Sequence, residues 1–196
     1  CTCVVKPSEL TPSTTVMLGE LLVQAGLPDG VVNIVLGLGQ PVGAALAADP
    51  RVDMVTFTGS TAVGRGIAAA AGATLKKVAL ELGGKNPQVI FPDADLEAAA
   101  DAVVFGLCFN AGQCCNSGSR VLVHADIAEA FTARVTEMSR QVAFGDPLDP
   151  ATQVGAIVSA EHAARIDGHV TAARAAGARL RLGGAPLAIP GLAGPS

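Results

Sequence analysis

Val52-Asp53-Met54-Val55-Thr56-Phe57-Thr58-Gly59-Ser60-Thr61-Ala62-Val63-Gly64 reads as a strand that breaks at a Gly-Ser-Thr turn and resumes as a helix. Residues 52–58 are rich in β-branched and aromatic side chains, and the Gly/Ala-rich stretch after Ser60 has helical length to about Ala71. The same unit recurs on both sides. Upstream, Val4-Val5 closes a short strand, and Pro7, Ser8 and Pro12 turn the chain into a helix that Gly26 stops after about Gln24. Residues 31–36 form a second strand, followed by Gly37-Leu38-Gly39 and a short helix over 41–48; residues 78–82 form a fourth strand. Strands separated by helix-length segments imply parallel βαβ units of a doubly wound α/β sheet. Ligands of such sheets sit at the carboxyl ends of the strands, where Pro7-Ser8-Glu9, Gly37-Leu38-Gly39 and Phe57-Thr58-Gly59-Ser60 fall.

Beyond Gly83-Gly84 the texture changes, and a domain boundary is placed there, dividing residues 1–82 from 83–196. A strand over 88–91 leads through Asp93-Ala94-Asp95 into a helix to about Phe109. A loop carrying Gly112 and Gly118 precedes a strand over 120–123. A helix over 127–142 sets Phe131, Val135, Met138 and Val142 on one core face. An amphipathic helix over 159–176, a strand over 179–182 ending at Gly183-Gly184, and a terminal loop from Pro190 to Ser196 complete the reading.

Half of the 196 residues are hydrophobic and 15% are charged, which suits a sizeable core and excludes a disordered chain. A formal net charge of −4, no basic cluster and no Tyr or Trp argue against a nucleic-acid partner. No apolar run reaches the ~18 residues of a membrane span. Five cysteines without framework spacing point to a reducing, cytoplasmic compartment. Cys1 and Cys3 share a face of the first strand and read as two small buried hydrophobes. His124, His162 and His169 show no ligand spacing, and no metal site is expected. The opening Cys1-Thr2-Cys3 reads as a strand entered midway, so the chain is expected to be a piece of a longer protein.

Two short stretches offer chemistry. Leu80-Glu81-Leu82-Gly83-Gly84-Lys85-Asn86-Pro87 places a carboxylate in an apolar strand, on the opposite face from Leu80 and Leu82. Phe109-Asn110-Ala111-Gly112-Gln113-Cys114-Cys115 places thiols in a glycine-containing loop. A thiol can attack a carbonyl and hold the acyl group, and a carboxylate can activate the water that releases it. Taken singly, Glu81 is an ordinary solvated carboxylate and each cysteine an inert small hydrophobe. The turn at Gly59-Ser60 offers free helix amides and a hydroxyl, a cradle for phosphate.

Together, in this order and with 34 positions from Glu81 to Cys115, the two stretches resemble the glutamate and cysteine motifs of the aldehyde dehydrogenase superfamily. The resemblance implies parts of two doubly wound α/β domains. Residues 1–82 would be the later part of a modified Rossmann-like NAD-binding domain, and residues 83–196 the earlier part of the catalytic domain. It makes Cys115 the nucleophile, since Cys114 occupies the variable position of the Gly-Gln-x-Cys pattern, and it makes Glu81 the general base. The acyl-CoA-forming and acyl-phosphate-reducing branches tend to lack this glutamate, so the hydrolytic type is favoured. The implied cofactor residues are Lys6 and Glu9 at the adenosine ribose, Gly39 near the adenosine, Gly59 and Ser60 at a phosphate, and Leu82. A carboxylate at Glu9 would repel a 2′-phosphate, which favours NAD, with NADP the alternative. The implied partners are a small aldehyde and, in the full-length protein, further copies of itself. The family's oxyanion asparagine would precede Cys1 and its nicotinamide-ribose glutamate would follow Ser196, so the isolated segment is expected to be inactive. The competing readings are a catalytically incompetent nucleotide-binding or subunit-interaction module, and a coenzyme A-acylating semialdehyde dehydrogenase.

Overall fold

The structure, a computed structural model, describes residues 1–189. It divides into two units, Cys1–Leu82 and the chain from Gly83 onward. In the first, β1 (Cys3–Val5) pairs in parallel with β2 (Val32–Ile34), Cys3 opposite Val32, and α1 (Ser13–Gln24) makes the crossover. After α2 (Ala44–Ala48), β3 (Met54–Gly59) pairs in parallel with β4 (Lys77–Leu82) through the crossover helix α3 (Thr61–Gly72). In the second unit β5 (Pro87–Ile90) and β6 (Arg120–Val123) are again parallel, joined through α4 (Leu96–Cys108), and α5 (Ala128–Arg140) and α6 (Ala160–Ala175) follow. The chain is thus α/β, built from parallel pairs with helical crossovers. Among the described residues the three pairs are separate two-stranded sheets.

Local chemistry sets the element ends. Gly26, at φ +82°, ends α1: its amide bonds Val23 O at 3.0 Å and the Leu27 amide bonds Leu22 O at 3.0 Å. This paired closure needs a left-handed residue, which glycine adopts without a Cβ clash. Asp95 opens α4 by accepting from the amides of Glu97 and Ala98, both at 3.1 Å. Pro87 stands first in β5, where its missing N–H disturbs the ladder least.

The core of the second unit is Ile90, Ala100, Val103 and Phe131, flanked by Leu96, Val121, Val123, Val135 and Met138. It clamps α4 and α5 onto the β5–β6 pair; truncating a buried phenylalanine such as Phe131 typically costs about 3–5 kcal/mol. In the first unit, Ala47 and Ala71 are buried. Lys76 is also buried, and its ammonium donates to Asp49 O, at the end of α2, at 2.7 Å. A buried ammonium without such a partner would be costly.

Four expectations are corrected. No strand forms over residues 179–182. Arg179 and Arg181 instead reach Glu129 on α5 at 3.2 and 3.0 Å, and Leu180 and Leu182 are exposed. The alternation is real, but a strand needs a ladder partner, and none lies beside it among the described residues. Cys1 and Cys3 are exposed, because no described layer covers that part of β1. The helix expected over 41–48 is shorter: a wide turn, Gly39–Gly43, precedes α2. The helix expected to be amphipathic over 159–176 forms as α6 but buries none of its residues. The loop expected from Pro190 to Ser196 lies outside the described residues.

Candidate active site

The proposed nucleophile loop hangs between α4 and β6. Phe109–Gly112 is a tight turn in which Asn110, Ala111 and Gly112 all have left-handed backbones, at φ 51°, 56° and 71°. Two of these carry a Cβ, and such residues adopt that region at a cost of roughly 1–2 kcal/mol each. Strain of this kind persists where surrounding bonds over-determine the conformation. Here the Gln113 amide bonds Asn110 O at 3.0 Å, and Asn110 Nδ2 donates to Gln113 O at 3.2 Å. Gln113 Oε1 also accepts from the amide of Val158 at 3.1 Å, tying the loop to a segment 45 residues away.

The next turn presents the cysteines. The Ser117 amide bonds Cys114 O at 3.2 Å, so Cys115 and Asn116 are the central residues of a four-residue turn. Cys115 is exposed, whereas Cys108 and Cys114 are half-buried. Cys114 Sγ donates to Asn116 Oδ1 at 2.9 Å, and burial pushes the Cys108 thiol above its ordinary value of 9.0. Of the loop thiols Cys115 is therefore the accessible one. A Cβ built on Gly84 would stand 3.5 Å from Cys115 O, so Gly84 packs against the turn that carries Cys115 within the same unit.

Glu81 belongs to the first unit. It is exposed on β4, opposite Thr58 of β3. The other sequence-derived residues of that unit fall into two groups at strand carboxyl ends. At β1 and β2, Lys6 Nζ donates to Pro7 O at 2.7 Å and Gly37 O at 2.8 Å, and stands 3.5 Å from Glu9 Oε2. A hydrogen bond from its own backbone amide, then the Lys6 charge, hold the Glu9 carboxyl below its ordinary value. Gly39 begins the exposed wide turn beside this group.

At β3 and β4, Gly59 lies opposite Leu82 in the ladder. Ser60 caps α3 by accepting from the Val63 amide at 3.3 Å. The Thr61 and Ala62 amides, in the first turn, have no intrahelical acceptor, so they remain available to an anion. A Cβ on Gly64 would approach Leu82 Cδ2 to 2.7 Å, so the bare glycine lets α3 settle on β4 beneath this cradle. That contact escaped the sequence reading, although the Gly59-Ser60-x3-Gly64 spacing carried the signal. Among the described residues no group of three or more His, Cys, Asp or Glu could hold a metal ion.

The model of the aldehyde dehydrogenase family matches residues 1–193, and the chain belongs to that family. It is 46% identical over 188 residues to a betaine aldehyde dehydrogenase of Cereibacter sphaeroides, covering 96% of this chain and 39% of that protein. It is also 46% identical to a hydroxyisobutyraldehyde dehydrogenase of Mycolicibacterium austroafricanum, covering 96% and 38%. Among solved structures, an NAD-dependent aldehyde dehydrogenase from Sinorhizobium meliloti superposes with a TM-score of 0.94 at 52% identity, over 96% of this chain and 38% of that one. A betaine aldehyde dehydrogenase from Staphylococcus aureus, in complex with NAD+, gives 0.93 at 39% identity, over 96% and 37%. The chain thus spans about two fifths of the length of the relatives it matches.

Proposed function

We propose that this chain carries the nucleophile and base of an enzyme that oxidises an aldehyde to a carboxylic acid with NAD. The observation that carries the reading is the exposed Cys115 on a turn held by the left-handed Asn110-Ala111-Gly112 segment, in a chain of this family. Cys115 as thiolate forms a C–S bond to the aldehyde carbon, and by family resemblance its own backbone amide would donate to the developing oxyanion. Bound NAD supplies the acceptor for the hydride that leaves this carbon. Glu81 then takes a proton from the water that attacks the thioester, releasing acid and returning the thiolate.

Residues 1–82 are, in this reading, the later part of the dinucleotide domain, and the residues from Gly83 the earlier part of the catalytic domain. The Thr61 and Ala62 amides with Ser60 suit a phosphate, and the ionised Glu9 suits ribose hydroxyls in preference to a 2′-phosphate, which selects NAD. Gly39 and Leu82 would border the same ligand. Five unbridged cysteines suit a reducing cytoplasm. No helix among the described residues is long and apolar enough to cross a membrane. Assembly with further copies of the same chain is carried over from the family resemblance. Equal identity to a betaine aldehyde and a hydroxyisobutyraldehyde dehydrogenase leaves the choice of aldehyde to a substrate screen. The test is aldehyde-dependent NADH formation by the full-length protein: Cys115→Ala should remove it, while Cys114→Ala should leave most of it. Equal loss in both variants would contradict the assignment of the nucleophile.

A further inference from the structure

The return path of the nucleophile loop is held by a residue that no motif singles out. Gln88, half-buried on β5, donates from Nε2 to Gly118 O at 2.7 Å. Its side chain lies in a slot between two glycines. A Cβ built on Gly118 would collide with the Gln88 side chain, and one on Gly106 would approach its Nε2 to 3.3 Å and the Gly118 amide nitrogen to 3.7 Å. Gly106 belongs to the last turns of α4, just before the left-handed turn. Ser117, itself buried, closes the same lock by donating from Oγ to Gly106 O at 2.5 Å. Ser117 is also the residue whose amide closes the turn carrying Cys115. Strand, helix end and loop exit therefore meet around one amide side chain and one hydroxyl.

We propose that Gln88 is a positioning residue for the nucleophile: its amide, wedged between Gly106 and Gly118, fixes the exit of the loop and thereby the orientation of the Cys115 thiol. This rests on Cys115 being the nucleophile. Gln88 does not touch substrate; it acts through Gly118 and Ser117. Leucine at this site keeps much of the volume but cannot donate, so the Gly118 carbonyl loses its partner while the slot stays filled. A thiol held in the attack geometry reacts far faster than one that wanders, and the loss of one such bond moves a rate by about tenfold.

The experiment uses the full-length protein, with Gln88→Leu, Gln88→Asn and Ser117→Ala beside the wild type. Iodoacetamide labelling is read residue by residue by mass spectrometry. The half-buried Cys108, whose thiol burial raises, serves as the internal reference. Gln88→Leu should lower kcat and the Cys115 labelling rate together, by about tenfold, with KM for the aldehyde within twofold. Gln88→Asn, which keeps a donor on a shorter arm, should recover part of both, and Ser117→Ala should reproduce the defect through the other half of the lock. A lowered melting temperature with unchanged kcat and labelling would overturn the proposal, leaving Gln88 a packing residue. Should Gln88→Leu fail to fold, the Ser117→Ala measurement decides on the same criteria. The underlying reading fails separately, if wild-type Cys115 labels no faster than Cys108 or Cys115→Ala remains active.

Discussion

Replacing Gly112 by alanine tests whether the loop that carries Cys115 needs its left-handed turn. Gly112 sits at φ +71°, and a Cβ there would come 3.1 Å from Leu107 O. An L-residue in this region costs roughly 1–2 kcal/mol. The added contact is to a backbone carbonyl of α4, which cannot swing aside as a side-chain tip could, so the substitution should destabilise by about 2 kcal/mol. Two neighbours, Asn110 and Ala111, already occupy the same region, so the strain should be relieved by opening the turn. The assay pairs denaturant unfolding of the full-length protein with amide exchange over residues 109–118. Gly112→Ala should lower the unfolding midpoint at constant slope and speed exchange in that segment most. Unchanged stability with unchanged protection would refute the reasoning, since it would mean that residue 112 does not hold a positive φ in solution.

Gly66, exposed inside α3 with nothing within 4 Å of an added Cβ, gives the opposite expectation: Gly66→Ala should stabilise by about 0.5–1 kcal/mol, read as a raised midpoint. Asp95→Ala removes the acceptor for two amides at the start of α4 and should cost about 1 kcal/mol in the same measurement, with Asp95→Asn recovering most of it. Arg181 first, then Arg179, hold the Glu129 carboxyl below its ordinary value of 4.5. A lowered folded value means that the attachment is complete above about pH 4.5 and is lost as pH falls through the shifted value. An NMR titration of Glu129 should therefore move upward in Arg181→Gln, and no movement would contradict the pairing.

Element by element, the chain was largely legible because its helices and strands are marked by local chemistry. Gly26 as a left-handed stop, Asp95 as a cap and Ser60 as a strand-to-helix break each act within four residues of where they stand, so sequence suffices to find them. Features that depend on a distant partner were not legible. The Arg179-Leu180-Arg181-Leu182 alternation has the period of a strand, but only the structure shows that Glu129, 50 residues before Arg179, takes the arginines. Burial of Cys1 and Cys3 likewise depended on a covering layer that the sequence cannot supply. At the site, Cys115 and Glu81 stood out because thiol and carboxylate carry their chemistry in the side chain. Ala111 and Gln88 did not. An alanine advertises no left-handed backbone, and a glutamine in a strand looks like any half-exposed polar residue until Gly106 and Gly118 are seen on either side of it.

The central claim, an acyl group held on Cys115 and released by water that Glu81 activates, is tested most directly by intact and peptide mass spectrometry of the full-length Glu81→Gln variant mixed with aldehyde and NAD. One equivalent of NADH per site is expected, together with an acyl group retained on the peptide carrying Cys115, which gains the mass of the aldehyde less two hydrogens. Continuous turnover at the wild-type rate, or an acyl group found on another residue, would contradict it.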